Sequence, residues 1–236
     1  AEAVGAALGL GAGDVLVCST GLIGDQLPLE KVLAGVAAAS AGLGDHGEAA
    51  SRAIMTTDSK PKRSIRAGIG YTIGGMAKGA GMLAPGLATM LVVITTDVVL
   101  SSAELDIALR RATRVSFDRL DSDGCMSTND QVSLLASGAS GVEPGVDAFA
   151  DVLTAVCLDL AEQLQSDAEG ATHDIRIEVV GARTEDDAVE VGRSVARNNL
   201  FRAAVFGNDP NWGRVLAAIG TTDAAFDPYD VDVSMN

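Results

Sequence analysis

The chain has 236 residues, 47% of them hydrophobic but only 3% aromatic, so it can bury a sizeable core built from Ala, Val, Leu and Ile. Its formal net charge of −15 excludes a nucleic-acid binder that relies on a basic face; it fits an acidic soluble surface, or more sharply a weak attraction for a cationic substrate. Cys18, Cys125 and Cys157 are odd in number, widely spaced and never in a CxxC pair, which excludes a disulfide framework and a structural zinc site and fits a reducing, cytoplasmic setting.

In chain order, Val15-Leu16-Val17-Cys18 reads as a short buried strand ending in the polar turn Ser19-Thr20-Gly21. Pro28 then opens a helix over 29–41. Residues 48–55 read as helical and Thr56-Thr57-Asp58 as its break. A hairpin-like excursion is expected over 65–73, a loop-rich stretch over 74–86 and a strand over 91–95. Ser101 to Glu104 matches a capping box, followed by Leu105, Ala108, Leu109 and Ala112 at helical spacing. Apolar residues from Val146 to Leu164 recur at three and four and predict a long amphipathic helix. Residues 174–180 alternate like a strand, 185–199 read as a helix and 203–206 as another strand. Interleaved strands and helices give an α/β (mixed α+β) class with sheets layered by helices. No apolar stretch reaches membrane-spanning length, and there is no signal-peptide pattern. A start at Ala1 without Met and an abrupt end at Ser234-Met235-Asn236 lead us to expect cuts through something longer.

Several familiar chemistries fail on their spacing. Gly68-Ile69-Gly70 and Gly79-Ala80-Gly81 lack the rest of a phosphate-binding fingerprint. Asp121-Ser122-Asp123-Gly124 suggests a calcium loop, but Met126 stands where the turn glycine belongs and Val132 where the bidentate Glu belongs. An Asx-type turn is the better reading, and no metal is expected. His46 and His173 are far apart and no GxSxG elbow occurs, so an acyl-transfer enzyme here would not use a histidine base.

Thr89 offers another route. It sits at the seam between the Pro85-Gly86 loop and an apolar, β-branched run. Breaking the Ala88-Thr89 bond frees an α-amine of reference pKa about 7.7–8.0 on the same residue as the hydroxyl, so it can take the hydroxyl proton. Thr20 and Gly21 could supply oxyanion donors, or simply a turn. Lys78 could bind a carboxylate or be solvated, and Glu169 could hold an ammonium group or belong to a polar loop. The Asn208-Asp209-Pro210-Asn211-Trp212-Gly213-Arg214 cluster reads as a turn and as site scaffolding.

The stretches VLVCSTGLIGDQLP, AIMTTDSKPK, GGMAKGAGMLAPGLATMLVVITTD, FDRLDSDGCMSTND, DAEGAT and FGNDPNWGRV run in order from 15 to 215. Together they resemble the bifunctional glutamate N-acetyltransferase/ornithine acetyltransferase family of arginine biosynthesis. The resemblance implies self-cleavage between Ala88 and Thr89, giving an α-chain segment 1–88 and a β-chain segment 89–236 that together form one compact α/β unit. It implies that Thr89 takes acetyl from N2-acetylornithine and passes it to glutamate in a ping-pong cycle. Thr20 and Gly21 match the family's oxyanion pair, and Thr56, Lys78, Thr89 and Glu169 its substrate-binding positions. Two lobes with the site between them, a heterotetramer of two α and two β chains, and no cofactor are further implications. Relatives are longer at both ends. A hydrolase or aminopeptidase with the same self-made nucleophile, or a non-catalytic small-molecule-binding module, are the alternatives. Use of acetyl-coenzyme A as a second donor is left open by these residues.

Overall fold

The computed structural model describes residues 1–22, 24–84 and 90–236. Helices α1 (Glu2–Leu8) and α2 (Leu29–Ala41) pack on each other, and α3 (Gly47–Ala53) follows. Strands β1 (Lys62–Ala67), β2 (Thr72–Lys78) and β3 (Leu91–Thr96) then form an antiparallel meander. Helix α4 (Ser102–Val115) carries the chain back so that β4 (Gln131–Ala136) pairs parallel to β3. The result is a four-stranded sheet in the order β1-β2-β3-β4. Helix α5 (Val146–Gln165) lies against β1, β2 and α4. The chain ends in α6 (Glu185–Arg197), α7 (Asn199–Phe206) and α8 (Trp212–Ile219). This is a mixed α/β fold, as the interleaved pattern implies. Among the described residues, no helix is long and apolar enough to cross a membrane.

The main core forms where the apolar stripe of α5 meets the sheet. Phe149, Leu153, Val156, Leu160 and Leu164 are fully buried against Ile73, Val92 and Ile94. Burying each of these side chains stabilises the fold by roughly 1.5–3 kcal/mol. Gly75 permits the close approach: a Cβ there would lie 2.9 Å from Leu160 Cδ1. A second cluster forms from α6, α7 and α8 around Val195, Phe201, Ala218 and Ile219.

Many expected elements are present. The excursion over 65–73 lies within the β1–β2 hairpin, closed by the Gly68 N–H donating to the Tyr71 carbonyl at 2.9 Å. The capping box at Ser101 and Glu104 is complete, with both reciprocal bonds made. Helices α2 and α5 lie where the patterns place them.

Four expectations are corrected. Val15–Cys18 is not a strand: Leu16 and Val17 are 63% and 62% exposed, and an apolar run becomes a strand only on a pleated surface that pairs with it. The supposed loop over 74–86 is strand as far as Lys78. Residues 174–180 join no ladder among the described residues; Ile177 and Val179 lie over α6, near Gly192, while Val180 is exposed. Residues 203–206 belong to a helix: Asn198 caps α7 by accepting the Phe201 N–H at 2.9 Å, and a four-residue apolar run is too short to reveal its period.

Candidate active site

One end of the sheet brings three strand termini together. Lys78, the last residue of β2, faces Leu91, the first of β3, and Leu91 faces Gln131, the first of β4. Lys78 is only 2% exposed, so its ammonium is not the solvated surface charge that an isolated lysine usually is. Burial lowers the Lys78 pKa; the carboxylates of Asp58, Asp130 and Glu169 oppose that fall, while the Lys62 ammonium adds to it.

Residues 85–89, including the expected cleavage pair Ala88 and Thr89, lie outside the described residues. The chain on both sides of them is tied to a single loop. Upstream, Met82 donates its N–H to Asp123 at 2.7 Å, Leu83 accepts from the Ser122 N–H at 2.8 Å, and Ala84 donates to Cys125 at 3.2 Å. Downstream, Met90 donates to Asp130 Oδ1 at 2.9 Å and accepts from the Gln131 N–H at 3.0 Å. The segment that suggests a calcium loop is therefore a clamp. Asp123 accepts the Cys125 N–H in an Asx turn, and Asp121 accepts the N–H of Gly124, three residues on. Among the described residues, no group of His, Cys, Asp and Glu could hold a metal ion. Burial raises the Asp130 pKa, against the pull of the Met90 N–H and Lys78.

Beside Lys78 lies a buried ion cluster. Lys62 Nζ sits 2.6 Å from Asp58 Oδ1 and 2.6 Å from Asp167 Oδ2. Burial works against ionisation of Asp58, but the Gly79 N–H, Lys62 and the Thr56 N–H outweigh it and hold the carboxyl below its ordinary range. Asp167 is lowered in the same way by Lys62 and Ser59. Removing one member of such a cluster typically costs about 3–5 kcal/mol, because a buried charge is left without its partner.

Glu169 completes the group. Its N–H donates to the Ala80 carbonyl at 2.7 Å, and a Cβ on Gly81 would come within 3.3 Å of its carboxylate. An enclosed ammonium and a solvent-accessible carboxylate around one loop are suited to a ligand that itself carries both charges, as an amino acid does.

Of the residues singled out in the sequence, Lys78 and Glu169 thus come together, and Thr56 joins them through Asp58, which accepts its N–H at 3.1 Å. Thr20 and Gly21 lie in an irregular stretch where a Cβ on Gly21 would meet nothing within 4 Å. Asp58, Lys62, Asp130 and Asp167 lie in the quoted sequence stretches but stand out only in the structure. The four-residue spacing of Asp58 and Lys62 is a weak signal, since most such pairs are solvated. The Asn208–Arg214 cluster pins a helix start rather than this site. Asn211 caps α8, and the Arg214 guanidinium donates to the Leu200 carbonyl at 2.6 Å.

The model of the ArgJ family matches residues 1–236. The chain belongs to the ArgJ family. The arginine biosynthesis bifunctional protein ArgJ of Streptomyces coelicolor is 63% identical over 237 residues, covering 100% of this chain and 62% of that protein. The ArgJ protein of Mycobacterium leprae is 56% identical over 245 residues, covering 60% of its length. The chain thus spans about three-fifths of the curated ArgJ relatives it matches. The crystal structure of the ArgJ protein of Bacillus halodurans superposes with a TM-score of 0.54 at 36% identity, over 58% of this chain and 66% of that one.

Proposed function

We propose that this chain forms the catalytic part of an acetyltransferase that moves acetyl from N2-acetylornithine to glutamate in arginine biosynthesis. The observation that carries the proposal is the buried Lys78, set beside Glu169 and paired across the sheet with Leu91, two residues after Thr89. Membership of the ArgJ family supports it.

In this mechanism the chain cuts itself before Thr89, leaving segments 1–88 and 89–236. The new α-amine of Thr89 takes the Oγ proton as Oγ attacks the acetyl carbonyl of N2-acetylornithine. The C–N bond breaks, the proton passes to the leaving ornithine amine, and acetyl remains as a threonine ester. The glutamate amine then attacks the ester, its C–O bond breaks, and Oγ recovers a proton through the Thr89 amine. Lys78 holds the substrate α-carboxylate, and Glu169 holds the ammonium group. Thr56 lines the same site, while Thr20 and Gly21 donate to the oxyanion. Removing one such donor typically costs about 3–4 kcal/mol of barrier lowering. The cut chains pair as a heterotetramer of two α and two β chains in the cytoplasm, with no cofactor.

The test is the Thr89→Ala variant of the full-length protein, followed by intact mass and by acetyl transfer. We expect a single uncut chain and no acetylglutamate, against two chains and acetylglutamate for the wild type. Cleavage in the variant would refute the mechanism. Acetate released by wild type without acetylglutamate would make the enzyme a hydrolase instead. Supplying acetyl-coenzyme A in place of acetylornithine reads out the second donor.

A further inference from the structure

Thr56, Lys78 and Glu169 belong to three separate segments, and each segment is tied to one buried ammonium. Lys62 is fully buried, and its Nζ lies 2.6 Å from carboxylate oxygens of both Asp58 and Asp167. Asp58 also accepts the Gly79 N–H at 2.7 Å, adjoining Lys78, and the Thr56 N–H at 3.1 Å. Asp167 accepts the Ser59 N–H at 3.0 Å and the Ser59 hydroxyl, and it stands two residues before Glu169. The Glu169 N–H then returns to the Ala80 carbonyl at 2.7 Å, closing the circuit onto the segment after Lys78.

We propose that Lys62 is a positioning residue, whose ammonium, gripped by Asp58 and Asp167, fixes the segments carrying Thr56, Lys78 and Glu169 in register for substrate. This rests on the functional reading of those three positions. A buried ion cluster kept only for stability could be replaced by apolar side chains of equal volume at little cost. Here Asp58 accepts from the N–H of Thr56 and from that of Gly79, next to Lys78, while Asp167 ties Ser59 to the segment that carries Glu169, so the cluster's geometry is transmitted to the site. The nucleophile's strand is anchored separately, through Asp130 and Met90. Loosening the ion cluster therefore acts on binding more than on the chemical step.

Two variants of the full-length protein test this. Asp167→Asn keeps the shape and removes one arm of the cluster. The double variant Asp58→Asn with Lys62→Met removes one positive and one negative charge, leaves Asp167 to Ser59, and keeps an amide oxygen for one of the two N–H groups, Gly79 and Thr56, that reach separate Asp58 oxygens. We expect both to fold, by circular dichroism and melting. KM for N2-acetylornithine and glutamate should rise at least about fivefold, with a smaller fall in kcat.

A single Asp58→Asn variant adds a readout that mere stiffening would not move. The charged groups facing Lys78 are Asp58, Asp130, Glu169 and Lys62. Deleting the Asp58 charge removes support for the Lys78 ammonium, so the alkaline rise in glutamate KM should begin at lower pH. Folded variants with wild-type KM and an unmoved alkaline limb would overturn the proposal. Loss of fold in both test variants would overturn it too, by making the cluster a folding determinant. Wild-type protein that transfers no acetyl would instead sink the functional reading, before any variant is made.

Discussion

Asp130 grips Met90 by the main chain: its Oδ1 accepts the Met90 N–H at 2.9 Å across the β3–β4 pairing. Asp130 sits at the edge of a parallel ladder, one residue before Gln131, whose N–H returns to the Met90 carbonyl. Both main-chain groups of the residue after Thr89 are therefore held. Asp130→Ala should slow the proposed cut before Thr89 by about tenfold or more, since small displacements of reacting groups carry large rate penalties. Asp130→Asn keeps an acceptor oxygen and should stay closer to wild type. A time course on denaturing gels, from freshly refolded protein, reads the difference.

Acid sensitivity should trace to the ion cluster. Asp58 and Asp167 have folded-state pKa values below the unfolded value of about 3.9. Their contribution is therefore fully present above about pH 4 and is lost as pH falls through the depressed folded values. Asp58→Asn should lower stability at neutral pH and flatten the loss of stability below about pH 4, in denaturant titrations at a series of pH values.

Packing at Gly75 leaves no room for a side chain, with Leu160 Cδ1, Val156 Cγ1 and Ile94 Cγ1 within 2.9, 3.3 and 3.4 Å of a built Cβ. Gly75→Val should destabilise by about 1–3 kcal/mol through overpacking. Trimming the opposing side chain, with Leu160→Val, should recover part of the loss in thermal melts.

The three thiols should react unequally. Cys18 and Cys125 are exposed, whereas Cys157 is buried in α5 and burial pushes its thiol up to about 12. Alkylation of native protein followed by peptide mapping should label Cys18 and Cys125 alone. Cys157 should be labelled only after denaturant is added.

At the start of α4, Ser101→Ala removes the oxygen that accepts the Glu104 N–H. The expected cost is about 1 kcal/mol, with acetyl transfer unchanged. A melting curve and one transfer assay check both halves.

Legibility in the sequence followed the range of the interactions. The α4 cap, the α5 stripe and the β3 run are set by neighbours within a turn or two, and these were readable. Residues 15–18 and 174–180 have strand-like composition, yet strand formation depends on a distant partner that composition cannot reveal. Residues 203–206 carried too few apolar positions to distinguish a helix from a strand, and the deciding signal was Asn198 just upstream. Lys78 and Glu169 could be named from resemblance, but the burial of Lys78 could not. That burial depends on Asp58, Asp130 and Lys62 arriving from other segments. A lysine reads the same in sequence whether it ends in water or between carboxylates.

The meander has a thermodynamic consequence for a nicked molecule. A break between residues 88 and 89 falls in the connection between β2 and β3, strands that are paired from Ile73 with Thr96 to Lys78 with Leu91. The fragments would stay zipped by that seam, yet nothing covalent would reunite them once melted. Reassembly would become a second-order encounter, and dilution alone would lower the melting temperature of the cut form while leaving an uncut Thr89→Ala chain unaffected.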